Sequence, residues 1–277
     1  MSAVFEGDLQ KMQSHKALDD TVSYSLVCGT HRIPLAEQLG RRIRLAFSGS
    51  IHCIHCGKAT RKSFSQGFCF PCFQRLAQCD TCIMSPEKCH FPAGTCREPD
   101  WAETHCRVPH IVYLSNASGL KVGITRETQM PTRWIDQGAV QALPVFRVRE
   151  RRLSGLIESA LREFVSDRTQ WQQMLKGDPV LLDLAESAKG LSERISARVG
   201  EIRQTEGDGS VEMLHLPETR LRYPVLTYPA KIKSLNPEKT PTLEGELLGI
   251  KGQYLILDSG CLNIRKHTGY HVTATLD

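Results

Sequence analysis

The sequence predicts an α+β protein, and three observations carry that expectation. Both ends of the chain are rich in short strand-like runs separated by turn residues. Nine of the eleven cysteines fall between Cys53 and Cys106, and the stretch after them alternates strand-like and helix-like patterns. With 277 residues there is ample chain for two or three domains with cores of their own. Four regions are expected: a β-rich N-terminal unit over 1–50, a zinc-binding cysteine region over 51–107, an α/β domain with a helical extension over 108–205, and a small C-terminal β domain over 206–277. The polar, glycine-containing run Thr205 to Ser210 marks the last boundary.

The two ends resemble each other. The front reads "FEGDL", "YSLVCG", "RIPL" and "GRRIRLAF"; the back reads "LEGEL", "YLILDSG", "LNI" and "GYHVTATL". Glu-Gly, Tyr, Gly, a short apolar run and Gly recur in the same order, with spacings that differ by a few residues. Chance similarity between β-meanders explains this equally well. A true repeat implies two small barrel-like units packed on each other.

In the cysteine region the first four read Cys53-x2-Cys56 and Cys69-x2-Cys72. A C-x2-C pair bends the backbone so that two thiolates point at one spot, and two such pairs complete a tetrahedral zinc shell with no open position. A disulfide framework belongs instead to short secreted chains, and Met1 to Gln10 has neither a basic nor an apolar signal segment. A second zinc is expected on Cys79, Cys82, Cys96 and Cys106, with Cys89, His90 or His105 able to replace one of them. The alternative is one zinc plus several buried free cysteines. Sites with four sulfur ligands have no vacancy, so the expected role is structural.

In the third region "HIVYL" and "LKVGIT" read as strands joined by "SNASG". Leu153, Leu156, Ile157, Ala160, Leu161 and Phe164 recur at helical spacing. A longer helix is expected next, with Asp178 as N-cap, Pro179 in its first turn, and one apolar stripe from Leu181 through Leu191 to Ile202. Arg147, Arg149 and Arg151, with Arg152 beside them, are read on a strand that presents the first three on one face, suited to a nucleic-acid backbone. A solvated edge that blocks aggregation is the alternative. Near the C-terminus Arg265, Lys266, His267 and Tyr270 mix phosphate-binding and base-stacking chemistry.

Bulk properties set limits. The chain is 40% hydrophobic and 23% charged, with a net charge of +5, which permits a polyanionic partner without demanding one. No stretch approaches the roughly 18 apolar residues that a membrane span needs. Clustered C-x2-C pairs imply a reducing compartment, so a cytoplasmic protein is expected.

The third region also resembles the GIY-YIG nuclease superfamily in a divergent form. The resemblance runs from about Pro109 to Leu175. It rests on Ile111-Val112-Tyr113 in the first strand, "KVGIT" in the second, Arg133-Trp134 and Gly138 next, then "IESALREF" with Glu158, and "DRTQW". It implies that Tyr113 activates or orients a water, that Arg133 steadies developing phosphate charge, and that Glu158 holds one Mg2+ or Mn2+. This chain departs from the pattern at Lys121, where the second tyrosine belongs, and at Ile111, where the first glycine belongs. Lysine binds phosphate but replaces a phenol in proton transfer only if its pKa falls far. Across most of its length the chain also resembles an uncharacterised bacterial family with a cysteine-rich zinc region, "GTCR" and "KVGIT"-type motifs and a "GIKGQYLI" segment. That family supplies no activity. The expected function is nucleic-acid binding, to DNA or RNA, with metal-dependent phosphodiester cleavage. The alternative is a non-catalytic module that docks on RNA, a ribonucleoprotein or another protein through a relic scaffold.

Overall fold

Alternating apolar residues turn both ends of the chain into strands: along Tyr270–Leu276 every second side chain is buried and those between are half-buried. Residues 2–277 are described in a computed structural model. The chain begins with β1 (Ala3–Lys16), β2 (Val22–Cys28), β3 (His31–Pro34), β4 (Arg42–His52) and β5 (Ala59–Thr60). The cysteine region holds α1 (Phe70–Arg75), four 3-10 turns and α2 (Pro99–His105). Then come β6 (His110–Asn116), β7 (Leu120–Arg126), α3 (Thr132–Asp136), β8 (Gln141–Val148), α4 (Arg151–Leu161), α5 (Trp171–Met174), α6 (Leu184–Arg194) and α7 (Ser196–Glu206). The chain closes with β9 (Val211–Met213), β10 (Thr219–Arg220), β11 (Thr242–Lys251), β12 (Tyr254–Leu257), β13 (Gly260–Asn263) and β14 (Tyr270–Leu276). The fold is α+β, as expected.

The two ends build one nine-stranded antiparallel sheet in the order β13-β12-β11-β4-β14-β1-β2-β3, with β5 on β4. That order is a palindrome of two four-stranded units, β1–β4 and β11–β14. Each unit has a long strand, a hairpin, a 3-10 turn (Ala36–Gln38 or Arg265–His267) and a last strand. The last strand of each pairs with the first of the other, β14 with β1 and β4 with β11, and β4 meets β14 about the Leu45–Ala274 pair. Hydrogen bonds repeat as well. Gly40 N–H donates to the Leu247 carbonyl at 2.9 Å, and Gly269 N–H to the Leu9 carbonyl at 2.8 Å. Leu35 N–H donates to Tyr24 and Ile264 N–H to Gln253, both at 2.9 Å. The weak sequence repeat is therefore a structural duplication. β1–β4 and β11–β14 are strands of one shared sheet rather than two barrels packed together.

The second sheet has the order β10-β8-β6-β7, with β9 on β8. Its central strand β6 is buried at all seven positions. The pleat explains this: Val112 and Leu114 face α4, α6 and α7, while Ile111 and Tyr113 face the core of the large sheet. The expected hairpin over "HIVYL" and "LKVGIT" is β6–β7.

The long helix differs from expectation. It starts at Leu184, where the Asp183 carboxylate caps the Glu186 N–H at 2.9 Å, and it breaks at Ile195 into α6 and α7. Asp178 caps nothing, because its carboxylate is taken by Lys251 Nζ and the Tyr228 hydroxyl, each at 2.7 Å. The arginine row differs too. β8 ends at Val148 and Arg151 opens α4, so the three side chains do not share a strand face. Arg147 forms an ion pair with Glu127 at 3.0 Å and Arg149 with Glu206 at 3.5 Å. No helix of the described residues is long and apolar enough to cross a membrane.

Candidate functional site

The first cysteine set forms as expected. Cys53 and Cys56 lie on a tight turn after β4, in which Gly57 N–H donates to the Cys53 carbonyl at 2.8 Å. Cys69 caps α1 and Cys72 sits in its first turn, beside Pro71. The four sulfurs lie within 4.8 Å of one another. Cys56 and Cys69 Sγ are 3.8 Å apart, far beyond a disulfide bond. A tetrahedron with metal–sulfur bonds of about 2.3 Å has sulfur–sulfur edges of about 3.8 Å. The electrostatics agree. Burial raises the Cys53 thiol, but the backbone N–H groups of Cys56, Cys69 and His55 outweigh it and bring it down to about 6. Burial and the other three thiols push Cys72 up to about 12. Four crowded sulfurs cannot all ionise without a cation among them, so this cluster is a candidate metal centre.

A polar cavity of about 490 Å³ opens on the other side of the same region. Its wall includes Arg126 of β7, Arg133 and Asp136 of α3, Gln137, Arg151 and Glu158 of α4, Asp167 and Arg265. Tyr113 and Lys121 stand one layer behind. The Tyr113 hydroxyl donates to Gln137 Oε1 at 2.9 Å, and Lys121 Nζ donates to the same oxygen at 2.8 Å. The structure thus gathers Tyr113, Lys121, Arg133 and Glu158 around one cavity. Tyr113 is completely buried. Gly123 serves neither turn nor bulge. A Cβ there would lie 2.7 Å from the Tyr113 hydroxyl, so the bare backbone makes room for the ring.

The cavity shifts its titratable groups. Burial pushes the Glu158 carboxyl up to about 7; Asp167 adds to the rise, and Arg162, Arg151 and Arg133 oppose it. Burial, then the Arg133 charge, lowers Lys121 to about 8. Burial also raises the Tyr113 phenol to about 12. Among the described residues, no carboxylate lies within 4.0 Å of the Arg126, Arg133, Arg151 or Arg265 guanidinium. Arg151 donates instead to the Ile83 carbonyl at 2.7 Å, and Arg265 to Gln66 Oε1 at 2.7 Å. None of these four cations is in an ion pair, although Asp136, Glu158 and Asp167 line the same cavity.

Several expected residues are distributed differently. Arg265 joins the cavity, whereas Lys266 is exposed on the 3-10 turn and Tyr270 binds Glu238. Cys79, expected with Cys82, Cys96 and Cys106, packs with Cys53, Phe68 and Leu76 beside the first cluster. Gln137 and Asp167 were not singled out. Gln137 follows Arg133 by one helical turn and so shares its face, a spacing legible in the sequence. Asp167 opens "DRTQW" and is carried to the cavity by Ser166, whose carbonyl accepts the Val122 N–H at 2.9 Å.

A family model described as "Protein of unknown function (DUF2797)" matches residues 40–272, most of the chain. The chain belongs to the DUF2797 family. Membership assigns no activity and does not carry the nuclease resemblance. No curated protein and no solved structure matches the chain.

Proposed function

We propose that the cavity beside Glu158 binds a phosphate of a nucleic acid and hydrolyses one phosphodiester with a divalent cation. What carries the reading is the group of guanidinium ions around one cavity, Arg126, Arg133, Arg151 and Arg265, none of which forms an ion pair within 4.0 Å. Arginine forks suit phosphate oxygens. The order of parts supports the GIY-YIG-like reading: Tyr113 on β6, Lys121 on β7, Arg133 on α3 and Glu158 on α4. Glu158 and Asp167 both line the cavity, and one or two carboxylates with substrate phosphates make a fitting donor set for Mg2+ or Mn2+. When bound, such an ion supplies charge stabilisation for the transferring phosphoryl group. Arg133 orients the phosphate and stabilises its growing charge. Lys121, with its amine lowered to about 8, has the basicity to take a proton from water near neutral pH, a role Tyr113 cannot fill with its phenol at about 12. The ion in the Cys53, Cys56, Cys69 and Cys72 cluster is read as zinc with a structural role, and the clustered thiolates suit a reducing compartment such as the cytoplasm.

A second reading is favoured by one observation: Tyr113 and Lys121 sit behind Gln137, out of direct contact with the cavity. In that reading the cavity binds nucleic acid without cutting it. Incubation of DNA and RNA pools with Mg2+ or Mn2+ separates the two. A nuclease gives products, loses them in Glu158→Gln with binding kept within a few-fold, and loses turnover far more than affinity in Lys121→Ala. A binding module yields no products with any pool. Cleavage that survives Glu158→Gln would place the chemistry elsewhere.

A further inference from the structure

Asp8, His52 and His271 meet at the joint of the duplicated sheet. Asp8 stands directly across from His271 in the β1–β14 ladder, and His52 ends β4, the strand on the other side of β14. Alternation sends Leu9, Ile51 and Val272 into the core and turns Asp8, His52 and His271 to the opposite face. Gly269 lets β4 come this close. Its φ is +87°, a Cβ there would lie 2.3 Å from the His52 carbonyl oxygen, and the His52 N–H donates to the Gly269 carbonyl at 2.8 Å.

The three side chains converge. Asp8 Oδ1 lies 2.8 Å from His52 Nδ1 and 2.9 Å from His271 Nδ1, and each residue offers a ligand atom within 4.8 Å of the other two. An ion with bonds of about 2.1 Å holds neighbouring ligand atoms about 3.0–3.4 Å apart, close to these contacts. His271 is also held from behind, with Nε2 at 3.1 Å from Glu6 Oε1. A neutral imidazole carries one N–H. With that hydrogen on Nε2, donated to Glu6, the Nδ1 lone pair faces the Asp8 oxygen, and only a cation between them, a second proton or a metal ion, makes that contact attractive. A carboxylate behind a ligating imidazole is the usual support of a metal-bound histidine.

The other half of the duplication shows a plain ion pair at this place. The matching hydrogen bonds of Gly269 to Leu9 and Gly40 to Leu247 set Glu6, Asp8 and His271 against Glu244, Glu246 and Arg42. Asp8–His271 and Glu246–Arg42 are both directly opposed pairs. Arg42 binds Glu244 at 3.2 Å, and among the described residues no histidine pairs with Glu244 or Glu246. Where one half carries a fixed charge, the other carries two imidazoles aimed at one carboxylate oxygen.

We propose that Asp8, His52 and His271 bind one divalent transition-metal ion, with Glu6 orienting His271. Two imidazoles and a carboxylate suit zinc and its transition-metal neighbours rather than Mg2+ or Ca2+. The three side chains are 28–35% exposed, so an ion enters from solvent, and three protein ligands leave a position for water. The ion ties β1, β14 and the end of β4 together. His52 immediately precedes Cys53, so β4 leads from this site straight into the four-cysteine cluster.

Calorimetric titration of the full chain with Zn2+, its four-cysteine cluster already loaded, tests the site. Wild type should take up one ion that His271→Arg does not. That variant copies the ion pair of the other half, so it should melt near the wild-type midpoint without added zinc, and only wild type should gain stability when zinc is added. Glu6→Gln should weaken the affinity about 10–100-fold, as loss of an orienting carboxylate does, and His52→Ala should weaken it further. If His271→Arg does not fold, His52→Ala carries the comparison. Wild type that takes up no more zinc than these variants, even at millimolar zinc, overturns the proposal, because a proton then fills the place of the ion.

Discussion

Buried His110 shows how a single side chain couples this fold to pH. Its Nδ1 hydrogen-bonds the Val108 carbonyl at 2.8 Å, and its Nε2 has no partner among the described residues. Burial, the main cause, with Arg151 and Arg126 adding to it, lowers its pKa to about 4 from a value of 6.5. The folded state therefore refuses a proton that the unfolded chain takes up below pH 6.5. Its contribution to stability is complete above that pH and is lost as pH falls toward 4, by about 2 kcal/mol at pH 5. Denaturant melts at pH 7 and pH 5 should show a loss about 2 kcal/mol smaller in His110→Leu than in wild type. Parallel losses in both would mean that the imidazole is not held neutral. At this scale Cys53, Cys56, Cys69 and Cys72 were legible, because C-x2-C spacing is local geometry. So were Tyr113, Lys121, Arg133 and Glu158 as a group, because their order follows the chain through one hairpin and two helices.

Among the elements, α4 carries the most consequence, since it bears Glu158 on the cavity and Gly155 against the cysteine region. In an ordinary helix interior, Gly→Ala stabilises by roughly 1 kcal/mol. Here the added Cβ would meet the Glu87 nitrogen at 2.5 Å, and backbone on backbone has little freedom to yield. Gly155→Ala should therefore destabilise, by about 1–3 kcal/mol as overpacking does. A rise in thermal midpoint would show that the Pro86–Lys88 turn does not dock on α4. The helical periodicity of α4 was legible from Leu153, Ile157 and Leu161, all buried in one cluster. The start of α6 and the end of β8 were not. Asp178 looked like a cap because it precedes Pro179, but Lys251, far along the chain and completely buried, claims its carboxylate. Arg151 continued an alternating pattern on paper, whereas the strand stops where β9 stops pairing, at Val148 with Val211. Both boundaries were set by tertiary contacts that local pattern does not contain.

At the scale of the molecule, the duplicated sheet closes the chain on itself and delivers residues from its far end to the central site. The turn Arg265–His267 is the counterpart of Ala36–Gln38, yet it carries Arg265 into the cavity. The repeat was legible only as an order of short motifs. Its meaning lies in the cross-pairing of β1 with β14 and β4 with β11, which no local signal encodes. The central claim is that the cavity's unpaired guanidinium groups bind nucleic-acid phosphates, while Arg147 and Arg149 pair with Glu127 and Glu206. Fluorescence anisotropy with labelled DNA and RNA, run as a salt titration, tests it most directly. Each phosphate contact contributes roughly 0.7–0.9 to the slope of log affinity against log salt. Arg133→Ala with Arg265→Ala should weaken binding and flatten that slope by about 1 to 2. Arg147→Ala with Arg149→Ala should leave both nearly unchanged. Equal effects from the two pairs, or affinity indifferent to salt in the wild type, would contradict the account.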